Sequence, residues 1–424
     1  MAGRGRLLLL VPTQSYRADD FLAAAARLGV EVVVGTDRCH RIEDAFGPSE
    51  GTLSLDYRKP EAAADEIARE SARHPIAGVV PADDGTAVIA ALAAERLGLP
   101  RNPPAAARRT ASKLAQREAL SAAGVPVPRF RAFPIAGGPD GPAAAVGYPC
   151  VLKPIGLSAS RGVIRADDPA SFREAWRRIV AILSASRGER KEREEGAGSQ
   201  LLVEDFVPGA EVALEGLLRG GRLEVLALFD KPDPLDGPFF EETLYVTPSR
   251  HPAELQARVE AVIGAAAAAL GLREGPVHAE ARLGPAGPVI LEVAARTIGG
   301  LCARSLRFGA GASLEELVVA HAMGLPLASI RRESQASGVM MLPIPRRGVL
   351  HGVTGVDAAR DVAGIEDVIV TVPVGREVVP LPEGDAYLGF LFARGGTPDA
   401  VETALREAHR RLSFDIRAPL PTLG

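Results

Sequence analysis

The sequence has few cysteines, and none of them lie close together. Cys39, Cys150 and Cys302 are the only three among 424 residues, and they form no CxxC pair. This spacing matches neither a disulfide framework nor a zinc-binding pattern. It is typical of a reduced, cytoplasmic protein, and we expect all three thiols to be structural.

A charge excess of one sign and long apolar runs are also missing. The formal net charge is −4, so no overall field favours a nucleic acid or a membrane surface as a partner. The apolar run near the start, "LLLLV", is shorter than the core of a signal peptide. No stretch approaches the roughly 20 apolar residues of a membrane span. We therefore expect no membrane segment and interpret the first apolar run as a buried strand.

Lysine is scarce as well, because almost every basic residue is arginine. The only lysines are Lys59, Lys113, Lys153, Lys191 and Lys231. An ammonium is a compact point charge, whereas a guanidinium is a planar fork. Each lysine is therefore a candidate for a site that needs a compact charge.

Patterns typical of strands and helices alternate through roughly the first hundred residues, from "RLLLLVPT" to "TAVIAALAAERLG". This alternation predicts a doubly wound parallel sheet. The Pro-rich "LGLPRNPPAAA" ends it, so we assign a first α/β domain to residues 1–107. We assign a mixed second domain to residues 108–330. Residues 331–424, with short strands between Gly and Pro and one clear helix, predict a small α+β domain.

One segment of the second domain has no apolar periodicity. Residues 184–200, "SASRGERKEREEGAGSQ", are polar and highly charged. Such a composition cannot bury enough apolar surface to form a packed element. We predict a solvated loop there.

Two carboxylates stand inside the otherwise apolar stretch "VHAEARLGPAGPVILEVAAR". If residues 284–287 form a turn, Glu280 lies opposite Leu291 or Glu292. Like charges directly opposed across a strand pair are destabilising. A hard cation reverses this effect, because Mg²⁺ binds a few carboxylate oxygens and completes its shell with water and phosphate.

Strand parity extends this prediction along the second strand of the hairpin. It puts Glu292, Ala294 and Arg296 on one face, with Ile290 also on it. The Arg296 fork is suited to phosphate oxygens. The alternative is a surface hairpin whose charges are solvated and loosely paired.

Lys153 ends the apolar strand "YPCVLKP" and precedes a loop of small residues that includes Ser158 and Ser160. Small residues let backbone amides approach phosphate oxygens, and the lysine adds a point charge. The loop is not a Walker motif, and a generic turn after a strand is the alternative. Lys113, in the first turn of its helix, is either a second phosphate ligand or a solvated helix charge.

The stretch "LLVEDFVPGAEV" interrupts strand character at Glu204 and Asp205 and then resumes it. Where strand pairing is interrupted, a backbone carbonyl and amide are free to bind adenine, and a nearby Glu can bind the ribose hydroxyls. An ordinary bend between strands is the alternative.

Taken in order, these motifs resemble the ATP-grasp superfamily of carboxylate-amine ligases over about residues 6–330. The segments that carry the resemblance are "SKLAQREALSAAGVPVP", "YPCVLKP" with its loop, "VEDFVPGAEV", and "AE" followed by "LEVAAR". Further segments, such as "FDKPDPLDGPFFEETLYVTPS" and "AARTIGG", look most like the L-amino acid ligase group. The resemblance implies an ATP-grasp fold with a flexible lid at about residues 125–207 and a C-terminal closing domain.

The resemblance also implies a set of ligand-binding residues. Those expected to bind ATP are Lys113, Lys153, Ser158, Ser160, Glu204, Asp205, Phe206, Val207 and Glu211. Glu280 and Glu292 would hold Mg²⁺, or Mn²⁺, and Arg296 would stabilise the transferred phosphate. Many family members have Asn two residues after the second glutamate. Ala294 stands there instead, so the number of metal ions stays open.

The implied reaction is ATP-dependent activation of a carboxylate as an acyl phosphate, followed by attack of an amine to give an amide. Arg296 and Lys153 would neutralise charge during it. His278, on the strand face of Glu280, either assists the amine or is a packed structural histidine. A last group, Lys231, Glu241 and Glu242, faces substrate or belongs to a solvated loop.

Other functions stay open beside this one. Biotin carboxylase-like and purine-pathway relatives share the architecture, as would a phosphotransferase or a non-catalytic ATP-binding module. We expect small-molecule partners and no nucleic acid. The identity of the acid and the amine, and whether the chain forms a homodimer, are left undecided by the sequence.

Overall fold

The computed structural model describes residues 5–13, 15, 17–37, 51–189, 199–326 and 329–418. Within these ranges the strands form four sheets. One is parallel with four strands, and the others are antiparallel with four, eight and three strands. The predicted succession of a parallel-sheet domain and mixed α+β domains is confirmed. Cys39 and Lys191 lie outside the described residues.

The N-terminal sheet is parallel, with the order β3-β2-β1-β4. Its elements, together with the helix that follows it, are β1 (Arg6–Leu10), α1 (Ala18–Arg27), β2 (Val32–Thr36), β3 (Thr52–Ser54), α2 (Pro60–Arg73), β4 (Ile76–Pro81), α3 (Asp84–Arg96) and α4 (Pro104–Thr110). Leu8 and Leu10 pack towards α2 and α3, whereas Leu7 and Leu9 pack towards α1. Helices therefore cover both faces of the sheet, as the apolar run of β1 predicts.

The second sheet forms a lid with the order β5-β8-β6-β7. Its elements and the helix that precedes it are α5 (Lys113–Ala122), β5 (Phe130–Pro134), α6 (Asp140–Ala145), β6 (Cys150–Pro154), β7 (Ile164–Ala166), α7 (Pro169–Glu189) and β8 (Gln200–Asp205). Phe172, Trp176 and Ile179 of α7 pack on this sheet. The helix continues to Glu189, so the loop predicted from residue 184 begins too early. Residues 190–198 lie outside the described ranges.

The central sheet carries the hairpin that the sequence analysis singled out. Its first part comprises β9 (Glu211–Arg219), β10 (Arg222–Lys231), β11 (Leu244–Thr247), β12 (Gly275–Gly284) and β13 (Gly287–Ala294), with α8 (Ala253–Leu270) and α9 (Leu314–Ala322) beside them. Val259 and Ile263 of α8 pack on one face of this sheet. Val318 of α9 packs against the N-terminal sheet, so the two domains share a core.

The C-terminal region extends the same central sheet. Its elements are β14 (Ala336–Leu342), β15 (Gly348–Thr354), α10 (Val356–Arg360), β16 (Ile365–Val370), β17 (Glu377–Val378), β18 (Gly389–Gly395), α11 (Pro398–Arg411) and β19 (Ser413–Arg417). Leu244 of β11 pairs with Met340 of β14, and β18 and β16 follow. The predicted boundary at residue 331 thus separates parts of one continuous sheet, and the domain limits stay predictions. No helix in the described ranges has the length and apolarity needed to cross a bilayer.

Candidate active site

A cleft with about 670 Å³ of empty volume lies between the lid sheet and the central sheet. It brings together residues that are far apart in the sequence. The predicted site residues that line it are Lys113, Lys153, Ser160, Glu204, Asp205, Phe206, Val207, Glu211, Glu280 and Glu292. Three predicted residues are not among its lining. Ser158 is exposed in the same loop as Ser160. His278 lies deeper, within β12, and Arg296 follows the end of β13.

The hairpin of β12 and β13 sets the two predicted metal ligands side by side. Glu280 pairs directly with Glu292, and Gly284 pairs with Gly287 across the turn, as the sequence predicted. The register shifts between Glu280 and Ala281. Because of this bulge, Ile290 packs in the apolar core against α8 and does not share the face of Glu292. That part of the parity prediction was wrong.

The two hairpin carboxylates fit a divalent cation. Their side chains are 17% and 31% exposed, so both reach the cleft. Mg²⁺ is bound in proteins by one or two carboxylates together with phosphate and water. Glu280 and Glu292 offer that donor set at the floor of the cleft.

His278 bridges two glutamates below the cleft. Its Nδ1 contacts a Glu215 carboxylate oxygen, and its Nε2 lies 3.3 Å from Glu280 Oε1, on the shared strand face that the sequence predicted. Burial alone would lower the pKa of His278, but the charge of Glu215 and the contacts with both glutamates outweigh burial and raise it to about 9. The ring therefore carries a positive charge next to Glu280.

Lys231 is buried at the end of β10 and lies at the centre of three carboxylates. Its Nζ is 2.7 Å from Glu211, 2.5 Å from Glu242 and 3.0 Å from Glu280. Burial disfavours an ammonium, but these carboxylates outweigh it and raise the pKa of Lys231 well above its ordinary value. For Lys231 and Glu242 the solvated-loop alternative is wrong. The long-range pairing of three strands and a loop produces this cluster, and local sequence patterns carry no signal for it.

Lys153 is held by Glu204, whose carboxylate also accepts from Arg117. The Lys153 Nζ lies 2.6 Å from Glu204 Oε2, and Arg117 Nε lies 2.5 Å from Oε1. Burial favours a raised pKa for Glu204, but the two cations outweigh it and lower the pKa to about 2. The sequence analysis missed Arg117. It lies one helical turn after Lys113, a spacing that places both side chains on one face of α5.

Lys113 stands between the small-residue loop and the hairpin. Ser112 caps α5 by accepting from the Ala115 amide at 3.3 Å, which fixes the start of the helix. The Lys113 Nζ donates to the Leu157 carbonyl at 2.5 Å and lies 3.9 Å from Glu292 Oε2. Its side chain is 11% exposed, so a solvated helix charge is the wrong description.

The loop after Lys153 is fastened to the C-terminal region. Ala159 and Ser160 have positive φ values of 55° and 53°. Residues other than glycine adopt this backbone conformation infrequently. The Gly162 amide donates to the Pro382 carbonyl at 2.9 Å, and the Arg161 Nε donates to the Glu383 carbonyl at 2.9 Å. The loop is thus held over the cleft by residues more than two hundred positions away.

Part of the cleft lining is aromatic and basic, with Phe206, Phe240 and Arg282. The guanidinium carbons of Arg165 and Arg282 lie 4.2 and 4.9 Å from the centre of the Phe206 ring. The ring centre of Phe240, which the sequence analysis did not single out, lies 6.5 Å from the ring centre of Phe206. The Val207 carbonyl accepts from Arg282 at 2.9 Å. One backbone acceptor that the sequence assigned to adenine is therefore engaged within the protein.

Arg296 follows β13 and contacts the N-terminal domain. Its Nη2 lies 2.8 Å from Asp84 Oδ2 at the start of α3, and its Nη1 donates to the Thr297 carbonyl at 2.9 Å. Asp83 caps that helix and orients its first turn. The contact of Asp84 with Arg296 raises the pKa of the guanidinium despite burial. The buried Arg17 contacts the Thr297 hydroxyl and extends the same interface.

Two of the predicted structural cysteines can be placed. Cys150 and Cys302 are buried free thiols. Burial raises the pKa of Cys150 to about 12 and that of Cys302 further still. Neither is therefore a thiolate at neutral pH, in line with a structural role.

Three family models match successive parts of the chain. An ATP-grasp N-terminal domain matches residues 22–101, an ATP-grasp domain residues 146–305, and the L-amino acid ligase C-terminal domain 2 residues 340–417. The ATP-grasp family uses ATP with Mg²⁺. The three matches follow the order of the N-terminal sheet, the cleft and the C-terminal extension of the central sheet.

Individual proteins are similar over most of the chain. An uncharacterized protein of Sinorhizobium fredii is 27% identical over 362 residues, 85% of this chain and 73% of its own length. Carnosine synthase 1 of Gallus gallus is 31% identical over 373 residues, which is 84% of this chain. The chain spans only 39% of that longer relative.

Among solved structures, the L-amino acid ligase from Bacillus licheniformis has the same fold. It superposes with a TM-score of 0.77 at 24% identity, covering 98% of this chain and 100% of that one. At this identity the likeness concerns the fold. Together with the three domain matches, it shows that the chain belongs to the ATP-grasp carboxylate-amine ligase family and carries the C-terminal domain of L-amino acid ligases.

Proposed function

We propose that the chain condenses the carboxylate of one amino acid with the amine of a second, and converts ATP to ADP and phosphate. One observation carries this proposal: a single cleft contains Lys113 and Lys153 on one side and the opposed Glu280 and Glu292 on its floor. Two compact cations and two carboxylates match the needs of a triphosphate with its metal ion.

In the first step, a carboxylate oxygen of the acid attacks the γ-phosphorus of ATP. The bond from that phosphorus to the bridging oxygen breaks, so ADP leaves and an acyl phosphate forms. Lys153 and Lys113 bind phosphate oxygens and offset the negative charge that moves between them. Mg²⁺, held by Glu280 and Glu292, would supply further charge neutralisation at the phosphates.

In the second step, the amine nitrogen attacks the acyl carbon. The bond from that carbon to the phosphate oxygen breaks, and phosphate leaves with its electron pair. Arg296, whose two Nη atoms contact Asp84 and the Thr297 carbonyl, would offer its remaining N–H donors to the oxygens of the acyl phosphate. The amine loses a proton in this step, and the oxygens of the departing phosphate can accept it.

The loop of residues 155–163 protects this intermediate. An acyl phosphate hydrolyses if water reaches it, so the cleft must close before phosphoryl transfer. The hydrogen bonds of Gly162 and Arg161 to residues 382–383 hold the loop over the lysines. These contacts support a role for the C-terminal region in closure.

The experiment is a substrate matrix of amino acids and other small acids with amines, assayed for ADP and, by mass spectrometry, for a condensed product. We expect ADP release to depend on both an acid and an amine and to match the amount of amide formed. ADP release with the acid alone would indicate a phosphotransferase. No dependence on either compound would overturn the ligase assignment.

A further inference from the structure

The three-carboxylate cluster around Lys231 has the geometry of a cation site whose cation belongs to the protein. Glu211 begins β9, Glu280 lies within β12, and Glu242 comes from the segment before β11. Oxygens of the three carboxylates lie within 4.8 Å of one another. Lys231 faces Glu211 in the register of β10 and β9, so the backbone fixes where its ammonium lies.

The ammonium matches the three acceptors in number and in distance. An ammonium has three donors, and Nζ lies 2.7, 2.5 and 3.0 Å from the three carboxylates. These are lengths of charge-assisted hydrogen bonds, whereas oxygen ligands approach Mg²⁺ to about 2.0–2.1 Å. The side chain is 3% exposed and lies 5.0 Å from the centre of the Tyr245 ring. A metal ion and this ammonium therefore compete for one space.

Neighbouring groups strengthen the competition. Arg282 lies 3.1 Å from the second oxygen of Glu211, so that carboxylate already has two cationic partners. On the hairpin, Ala294 carries no ligand atom, and only Glu280 connects the Lys231 cluster with Glu292. The divalent ion expected with the nucleotide is thus directed to the side of Glu280 that faces Glu292.

We propose that Lys231 is a tethered cation that replaces a metal ion among Glu211, Glu242 and Glu280, and so limits divalent-ion binding to the Glu280–Glu292 pair. The part that concerns the nucleotide's metal ion rests on the proposed function. The exclusion of an ion from the cluster does not, because it depends only on charge and space within the protein. Lys231 is in this sense a positioning residue for the metal site.

The test counts Mn²⁺ ions bound to the full-length protein without nucleotide, acid or amine, by electron paramagnetic resonance titration of free Mn²⁺. The variant Lys231→Met has a side chain one atom shorter than lysine, so it removes the charge and vacates the space that Nζ occupies. We expect it to bind one Mn²⁺ more per chain than the unchanged protein binds. An unchanged count would overturn the proposal.

Two further variants define the site, and the first of them, which keeps Lys231, provides a test even if Lys231→Met does not fold. Glu242→Gln alone should leave the Mn²⁺ count unchanged, because Lys231 already fills the cluster, and loss of an ion would contradict this. Combined with Lys231→Met, Glu242→Gln should abolish the additional ion, and retention of that ion would contradict its assigned position. These counts use no ligase substrate, so they stand or fall separately from the substrate matrix.

Discussion

Asp84 and Arg296 form an ion pair, 2.8 Å long, that joins the first turn of α3 to the end of the hairpin strand β13. Arg296 is 13% exposed and Asp84 is 26% exposed. The pair thus connects the N-terminal domain to the segment that follows β13, in a largely desolvated interface. A residue of the first domain thereby orients a guanidinium that we assign to the reacting phosphate.

Replacing Asp84 by Asn should therefore lower both stability and turnover. The change leaves Arg296 without its charged partner, which should cost about 1–3 kcal/mol in the free energy of unfolding, and kcat should fall by about tenfold or more as the fork loses its orientation. Denaturant unfolding and steady-state kinetics measure the two effects.

Asp20→Asn is the matched control, because Asp20 pairs with Arg304 across the same two domains at 2.9 Å, and Arg304 is 36% exposed whereas Arg296 is 13% exposed. Its cost should stay below about 1 kcal/mol. Equal losses for the two variants would argue against a special role of the Asp84 pair.

Glu292→Gln should remove a metal ligand while preserving the shape of the hairpin. We expect turnover to fall by at least about 100-fold, because charge neutralisation at the phosphates is lost, and Mn²⁺ affinity in the presence of an ATP analogue to weaken. Glu224→Gln, at the other end of the central sheet, is the control and should retain activity. Unchanged turnover in Glu292→Gln would remove Glu292 from the metal site.

His278 should make stability depend on pH. Its folded-state pKa of about 9 exceeds the ordinary 6.5, so charged His278 contributes stability fully below about pH 6.5. The contribution, on the order of 3 kcal/mol, declines as pH rises through 9. The difference in unfolding free energy between the unchanged protein and His278→Gln should therefore be largest at low pH and vanish above about pH 9.

The control is the same substitution at the exposed His74, which should show a small difference. A pH-independent difference for His278→Gln would contradict a charged imidazole.

Glu383→Gln should weaken closure of the cleft. The Glu383 carboxylate contacts Arg178 at 2.5 and 2.9 Å, and the Glu383 backbone carbonyl accepts from Arg161 in the loop of residues 155–163. Loosening this contact should raise the KM for ATP several-fold and speed tryptic cleavage at Arg161, because the loop spends more time open. The control Glu377→Gln disrupts an exposed pair with Arg347 in the same region. If both variants behave alike, residue 383 does not hold the loop.

Local patterns predicted the elements of the fold well. The strands β1, β2 and β4 with their helices, and the turn of the hairpin, follow from periodicity and turn chemistry, which left Glu280 opposite either Leu291 or Glu292. The prediction that Ile290 shares the face of Glu292 was wrong because a bulge inserts one residue into the strand. No residue type in this stretch indicates such a bulge. The short strands β7 and β11 carry too few residues for a clear period, whereas α9 was not predicted although Ser313 and Glu316 form a capping box at its start.

The partners of the site residues were harder to predict than the residues themselves. Lys153 and Lys231 stood out because lysine is rare, but Arg117 and Glu242 become their neighbours only when distant elements pack together. Asp84 reaches Arg296 across more than two hundred residues. Local sequence reasoning identifies unusual residues, whereas the ion pairs that set their charge and position depend on tertiary packing.

The lid sheet has its two connections to the rest of the protein side by side. The chain enters it through β5 and leaves it through β8, and Phe130 pairs with Glu204 at this junction. The two connections are separated by a single strand spacing of about 4.8 Å, and the lid has its own apolar core. Residues 130–189 and 199–204 therefore join the rest of the chain at two neighbouring points. With the two junctions side by side, exchange of the lid for that of a related ligase is expected to leave the strand order of the central sheet unchanged.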